Sequence, residues 1–256
     1  MGEAALILLL LLLGKSKIKK PETTSVQYPK PGTPALPPPP GVTMFADAWK
    51  KRTTDLAVRS KSGSRWRSLL EKAFEFMVSK AGAAADAAAR WVGIESSGNP
   101  KSTTSLGERG LAQGMKENYS EADWAMLLDP KTTDEQHARI AARLIVRDVR
   151  ATTSATTSTP STIGMAYLYH GLPLMVRELR AQGLLRESIG ETLPLALGGY
   201  KPSAKVASYV ADPKYKVAGG VVQDLIVRFF APAAVISYGE SAIGLLDTLA
   251  AEGMKL

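Results

Sequence analysis

The chain has 256 residues, 45% of them hydrophobic, and a formal charge of +8. That length admits one domain with appendages or two small ones, and the apolar share supports a packed core. With no cysteine and only His137 and His170 as histidines, disulfides, a thiolate metal site, a Cys nucleophile and a His-rich metal centre are excluded, while the positive charge favours anionic polymers as partners.

Residues 4–13 are an unbroken run of Ala, Leu and Ile, followed by Gly14 and the basic segment Lys15-Ser16-Lys17-Ile18-Lys19-Lys20. A full span needs about 20 residues, so the run fits an interfacial anchor or short insertion better. Glu3 in front of it and the lack of a small-residue cleavage site behind it argue against an ordinary cleaved signal. Lys17, Lys19 and Lys20 could reach anionic headgroups; a helix covered by a partner chain is the alternative. Pro29, Pro31, Pro34 and Pro37 to Pro40 follow. Their fixed φ and missing N–H exclude helix and central strand, leaving a semi-rigid polyproline II spacer.

The remainder reads as helices. Trp66, Leu69, Leu70, Ala73, Phe74 and Met77 recur at helical spacing, and Ala83 to Ile94 is Ala-rich with Trp91 and Val92 on it. Thr133 or Asp134 can cap a helix with the apolar stripe Ile140, Leu144, Ile145 and Val149, and His137 is expected on its solvated face. Ala151 to Pro160 is expected as a Thr/Ser-rich loop, and Thr162 to Arg180 as helix broken at Pro173. Beyond Val217 lie apolar helices broken at Pro232, suited to a second membrane contact or an oligomer interface. The expected organisation is an apolar anchor over 1–20, a Pro-rich linker over 21–43, a helical head over 44–200 and a C-terminal helical region over 201–256.

Glu95 carries the candidate chemistry. It ends an apolar stretch in Ile94-Glu95-Ser96-Ser97-Gly98-Asn99-Pro100, and Gly110-Leu111-Ala112-Gln113 comes after it. A carboxyl on a half-apolar surface, near the negative end of a helix dipole, keeps its proton towards neutral pH and suits general-acid cleavage of a glycosidic bond. These segments resemble the soluble lytic transglycosylases, goose-lysozyme-like enzymes that cut peptidoglycan. That family carries E-S-x-x-N-P, then a Gly, then G-L-M-Q. Glu95, Ser96, Asn99, Pro100, Gly107, Gly110, Leu111 and Gln113 fall at its offsets without a gap, and Met115 matches a further position. Ala112 and Gly114 depart from it. Asp129-Pro130 and the helix through Leu144 resemble the next family segment, so the likeness covers residues 80–180.

The resemblance implies a mainly α, lysozyme-like head with a small β-hairpin between Lys101 and Met115. It implies cleavage of the β-1,4 bond between N-acetylmuramic acid and N-acetylglucosamine, with Glu95 as sole acid/base and a 1,6-anhydro sugar as product. No metal, cofactor or water is consumed. Gln113, Met115 and Thr104, with Ser105 as the alternative to Thr104, would contact the glycan. Ala166-Tyr167-Leu168-Tyr169-His170-Gly171-Leu172-Pro173 resembles the family's A-Y-N-A-G-P element. A gapless alignment puts Tyr169 in the tyrosine place with His170 for Asn; Tyr167 fits the Ala-Tyr pair at the cost of a deletion.

Two other readings stay open. Glu108, Glu117 and Asp123 sit in no recognisable second-carboxylate motif, but a hydrolysing muramidase would draw on one of them. A structural virion or membrane protein with a degenerate lysozyme-like head would need no acid. The expected partners are peptidoglycan strands, a membrane through the N-terminal segment, and virion or envelope proteins. Nucleic acid is not expected, because no compact basic-aromatic array stands out in the sequence. A bacteriophage virion protein that opens the cell wall is favoured over a bacterial envelope enzyme.

Overall fold

The computed structural model describes residues 43–78, 81–156, 163–217 and 219–238. The apolar run over 4–13, its basic flank, the Pro-rich stretch through residue 42 and the tail beyond 238 lie outside the described residues. The chain is mainly helical, and no strand occurs among the described residues.

Helix α1 (Thr43–Ser60) leads through a 3-10 turn (Lys61–Trp66) into α2 (Arg67–Phe74), and α3 (Ala81–Ser96) crosses all three. The Ala-rich sequence of α3 is what permits this. Ala84, Ala85, Ala87, Ala88 and Ala89 are all buried, so neighbouring backbones approach at side-chain-free distance. The approach is closest at two glycines. A Cβ on Gly63 would stand 1.7 Å from the Ala89 carbonyl oxygen, and one on Gly93 would stand 2.3 Å from the Ser60 carbonyl oxygen. Trp66, Leu70, Phe74 and Trp91, each at most 1% exposed, fill the space around this crossing.

Helix α4 (Glu121–Leu128) starts at Ser120, whose hydroxyl accepts from the Asp123 amide at 3.1 Å. Helix α5 (Asp134–Thr156) starts at Thr133 in a capping box: Thr133 N donates to Gln136 Oε1 at 2.8 Å, and Gln136 N to Thr133 Oγ1 at 3.3 Å. The expected stripe Ile140, Leu144, Ile145 and Val149 is buried. Two expectations on α5 are corrected. His137 is 3% exposed, not solvated, because it lies one turn before Ile140 on the same stripe. The helix also continues through Thr156, where a loop from Ala151 was expected; Thr152 Oγ1 returns its hydroxyl to the Asp148 carbonyl at 2.6 Å and so remains compatible with helix.

Helices α6 (Ile163–Gly171) and α7 (Pro173–Ala181) break at Pro173 as the sequence suggests, with the proline at the start of α7. After α8 (Ile189–Gly199) and the short α9 (Ala204–Ala207), the chain enters α10 (Val221–Leu225), a π turn (Ile226–Phe230) and α11 (Ala231–Tyr238). Pro232 does not break this run. The Ala231 amide reaches back to Ile226 O, and the widened turn accommodates the proline ring and its missing donor. Phe230, Ala233, Val235 and Ile236 are buried where α11 packs on α1, α3 and α6. Residues before and after position 200 share one buried core, to which the described C-terminal helix contributes. No helix among the described residues is long and apolar enough to cross a membrane.

Candidate active site

Glu95 is the penultimate residue of α3, and the residues after it explain why the helix stops there. Ser97 (φ 54°) and Gly98 (φ 70°) are both left-handed, and the Gly98 amide turns back to the Val92 carbonyl at 3.1 Å. A Cβ on Gly98 would lie 2.7 Å from Ser62 O, so glycine is required there for both reasons. Its carbonyl accepts from Trp66 Nε1 at 2.9 Å and from Arg65 Nη2. Asn99 Oδ1 then caps the turn by accepting from the Lys101 amide at 3.0 Å. Arg59 on α1 donates from Nη2 to the Glu95 carbonyl at 3.0 Å and fixes the acid's own backbone.

The side chain of Glu95 keeps some exposed surface. The Tyr167 hydroxyl, on α6, donates to Glu95 Oε1, and Oε2 has no partner among the described residues. Trp91, one turn earlier on α3 and fully buried, meets Tyr167 edge-on at 5.0 Å and 83° and His170 at 5.1 Å and 63°. His170 Nδ1 donates to Asp148 Oδ2 at 2.8 Å. Asp148, on α5, is 0% exposed and is also held by Arg147, Nη2 to Oδ1 at 2.6 Å. The group thus draws on α3, α5 and α6: an acid, a phenol, an imidazole and a buried carboxylate around one indole.

Burial pushes the Glu95 carboxyl above the usual carboxylate range. The charge of His170, the Tyr167 hydrogen bond and the charge of Arg59 oppose that rise, while the charge of Glu108 adds to it. The Tyr167 hydroxyl is driven well up by burial and by Glu95, so it stays a donor. For His170 burial works downward, but the hydrogen bond and charge of Asp148, with Glu95 and Glu108, outweigh it and the net direction is up. Chemically this is a carboxyl biased towards its protonated form and bound by Tyr167 at Oε1, with a cation-forming imidazole close by.

Residues 102–114 form the turn that carries Glu108, whose charge acts on Glu95. Thr103 and Gly114 bridge Arg109 from either side, the remnant of the expected hairpin. Tyr119 ties the turn together: its hydroxyl donates to Arg109 O at 2.9 Å and accepts from Gly114 N at 2.9 Å. Thr104 and Ser105 are exposed, and Thr104 Oγ1 donates to Glu108 Oε2 at 2.8 Å. Met115 is partly buried.

Gln113 and the two tyrosines lie in different surroundings. Gln113 is 1% exposed, and its Nε2 is spent on the carbonyls of Ser102, at 3.2 Å, and Gly110. It pins the turn from inside, and its Oε1 is buried without a partner. Of the two tyrosines, Tyr167 reaches the acid; the hydroxyl of Tyr169 instead accepts from Arg177 Nη2 at 3.3 Å. Of the three other carboxylates considered, Asp123 is bound by Arg143, with Nε to Oδ2 at 3.0 Å, and Glu117 is exposed, which leaves Glu108 as the one whose charge Glu95 feels. The Asp148–His170 pair was missed as part of the site. Among the described residues no cluster of His, Cys, Asp or Glu could hold a metal ion. Compared with protein-family models, with curated proteins and with solved structures, the chain matches none, so the meaning of this site rests on its own residues.

Proposed function

We propose that the protein is a peptidoglycan lytic transglycosylase with a lysozyme-like head, in which Glu95 is the single acid/base. The observation that carries this reading is the Glu95 carboxyl itself: raised by burial, partly open to solvent, and bound by Tyr167 through one oxygen only. The unbroken E-S-x-x-N-P spacing supports it. Protonated Glu95 gives its proton to the glycosidic oxygen between N-acetylmuramic acid and N-acetylglucosamine, and the C1–O4 bond breaks. The carboxylate so formed takes the proton of the muramic C6 hydroxyl, whose oxygen bonds to C1 and closes the 1,6-anhydro ring. Glu95 ends protonated, ready for another turnover. Tyr167 stabilises the carboxylate stage, and the His170 cation offsets its charge.

A hydrolysing muramidase is the second reading, favoured by one observation: Glu108, anchored by Thr104, is close enough in charge to raise Glu95. In that case Glu108 would activate a water. Mass spectrometry of digested sacculi separates the two. Anhydromuramic ends support the transglycosylase, while reducing muramic ends overturn it in favour of the muramidase. Absence of any glycan cleavage overturns both. The apolar run over 4–13 and the Pro-rich stretch further suggest a head tethered to a membrane, in a phage virion or a bacterial envelope.

A further inference from the structure

Three cations converge on the ring of Tyr215. Arg228 Cζ lies 4.4 Å from its centroid, Lys214 Nζ 4.8 Å and Arg52 Cζ 5.8 Å. They come from separate segments: Arg52 from α1, Lys214 and Tyr215 from the 3-10 turn Pro213–Tyr215, Arg228 from the π turn. Lys214 is paired with Asp212 at 3.1 Å. Arg52 and Arg228 make no ion pair among the described residues, and the Nε of Arg52 is buried without an acceptor. Asp212 balances Lys214 and its charge also acts on Arg228, which leaves the cluster with a net positive charge; attraction to the ring offsets only part of the repulsion between Arg52 and Arg228, so the cluster still favours an anion. A guanidinium held against a ring keeps its N–H edge free, and that edge matches a carboxylate with two parallel hydrogen bonds.

The cluster adjoins the site of Glu95. The charge of Arg52 is felt by the Tyr167 hydroxyl. Phe229, next to Arg228 and under its guanidinium at 5.1 Å, packs towards Gly171, the residue after His170. Its ring meets Tyr209 edge-on at 6.4 Å and 77°, and Tyr209 is 41% exposed. An aromatic surface therefore runs from the His170 end of α6 to the cations.

On the reading of Glu95 as a glycan-cleaving acid, we propose that Arg52, Arg228 and Tyr215 form a carboxylate-binding subsite that grips the peptide stem carried by the glycan strand. A glycan without peptides offers no such group, whereas the stem next to the scissile bond ends in carboxylates. The subsite would thus select decorated strands and hold them in register with Glu95.

The test uses full-length protein and one substrate in two forms: soluble uncrosslinked strands with native carboxylates, and the same strands with their carboxylates converted to methylamides. For the wild-type protein KM should be about tenfold higher on the amidated strands, the worth of one charge-assisted contact. In Arg228→Met and in Arg52→Met that ratio should fall to about one. A wild-type ratio near one overturns the proposal, as does a ratio that persists in both variants. The wild-type comparison requires no variant to fold. If neither strand is cut, the cleavage reading fails, and the subsite is then tested by fluorescence anisotropy with a labelled stem tetrapeptide. Binding that weakens about tenfold in both variants supports the subsite alone; equal binding sinks it. A glycerol-phosphate polymer that displaces the tetrapeptide at lower concentration than the unlabelled peptide itself would overturn the choice of carboxylate.

Discussion

Replacing Glu95 with Gln tests the acid and its environment together. The amide has the shape of the carboxyl, and its Oε1 can still accept from the Tyr167 hydroxyl. The ring packing of Tyr167 on Trp91 at 5.0 Å need not change, so what is lost is the transferable proton and the charge. Loss of acid–base catalysis costs about 10²–10⁴ in rate, equivalent to about 2.7–5.4 kcal/mol on the barrier. Release of soluble fragments from purified sacculi measures it. Stability should move the opposite way. Burial raises the folded-state pKa of Glu95 above the ordinary 4.5, so between the two values the folded state binds more protons than the unfolded one. Wild-type stability therefore falls as pH rises through that window. The Gln variant does not titrate, so its Tm advantage over wild type should grow from about pH 4 towards pH 8. Sacculus cleavage within tenfold of wild type would refute the role of Glu95, and a Tm difference that shrinks with rising pH would refute its burial.

Tyr167→Phe keeps the ring and removes a donor that favours the Glu95 carboxylate, so the alkaline limb of the kcat/KM profile should shift to higher pH; kcat should fall by about one to two decades as the acid loses its orientation. Asp148→Asn removes the group that holds His170 up. That contribution is complete below the ordinary histidine pKa of 6.5 and fades as pH rises through the folded value, so chemical denaturation should show a larger loss at about pH 5.5 than at about pH 8.5. Gly93→Ala drives a Cβ to 2.3 Å from the Ser60 carbonyl, and denaturation should report at least the ~1–3 kcal/mol of an overpacked core, with lost activity because Glu95 sits two residues on. Deleting residues 1–42 should leave a folded head from Thr43 onward that no longer co-floats with liposomes; undiminished flotation would move the membrane contact elsewhere.

Much of the fold could be read from periodicity, and its failures have physical causes. The stripe on α5, the Thr133 cap and the break at Pro173 follow from apolar spacing and capping chemistry. His137 was misjudged because it lies on that apolar stripe, three residues before Ile140, and polar character outweighed position; Asp148, four residues after Leu144, lies on the same stripe. A carboxylate on a buried stripe demands a partner, and that demand alone could have pointed to His170. For the tyrosines the gapless alignment points to Tyr169, whereas helical geometry brings Tyr167 to the acid. Tyr167 and His170 are three residues apart and share a face of α6, whereas Tyr169 is turned away from it. The Arg52, Tyr215 and Arg228 cluster was beyond any local pattern, since its members are brought together only by the packing of α1 against the C-terminal helix.

The environment of Glu95 is a balance, and the balance is what a group serving as acid and then as base requires. Burial alone would hold the carboxyl neutral and make it a poor acid, slow to give up its proton. The His170 charge, the Tyr167 donor and Arg59 favour the anion, and each is anchored outside the reacting group: His170 by Asp148, Tyr167 by its packing on Trp91, Arg59 by the Glu95 carbonyl. Their order of effect matters. His170 opposes burial most strongly, and its own charge depends on Asp148, a residue that does not contact Glu95 in any described bond. A substitution at Asp148 should therefore move both limbs of the pH–rate profile, because neutralising His170 at a lower pH also raises the carboxyl it was balancing. One at Tyr167 should move only the limb that reports Glu95.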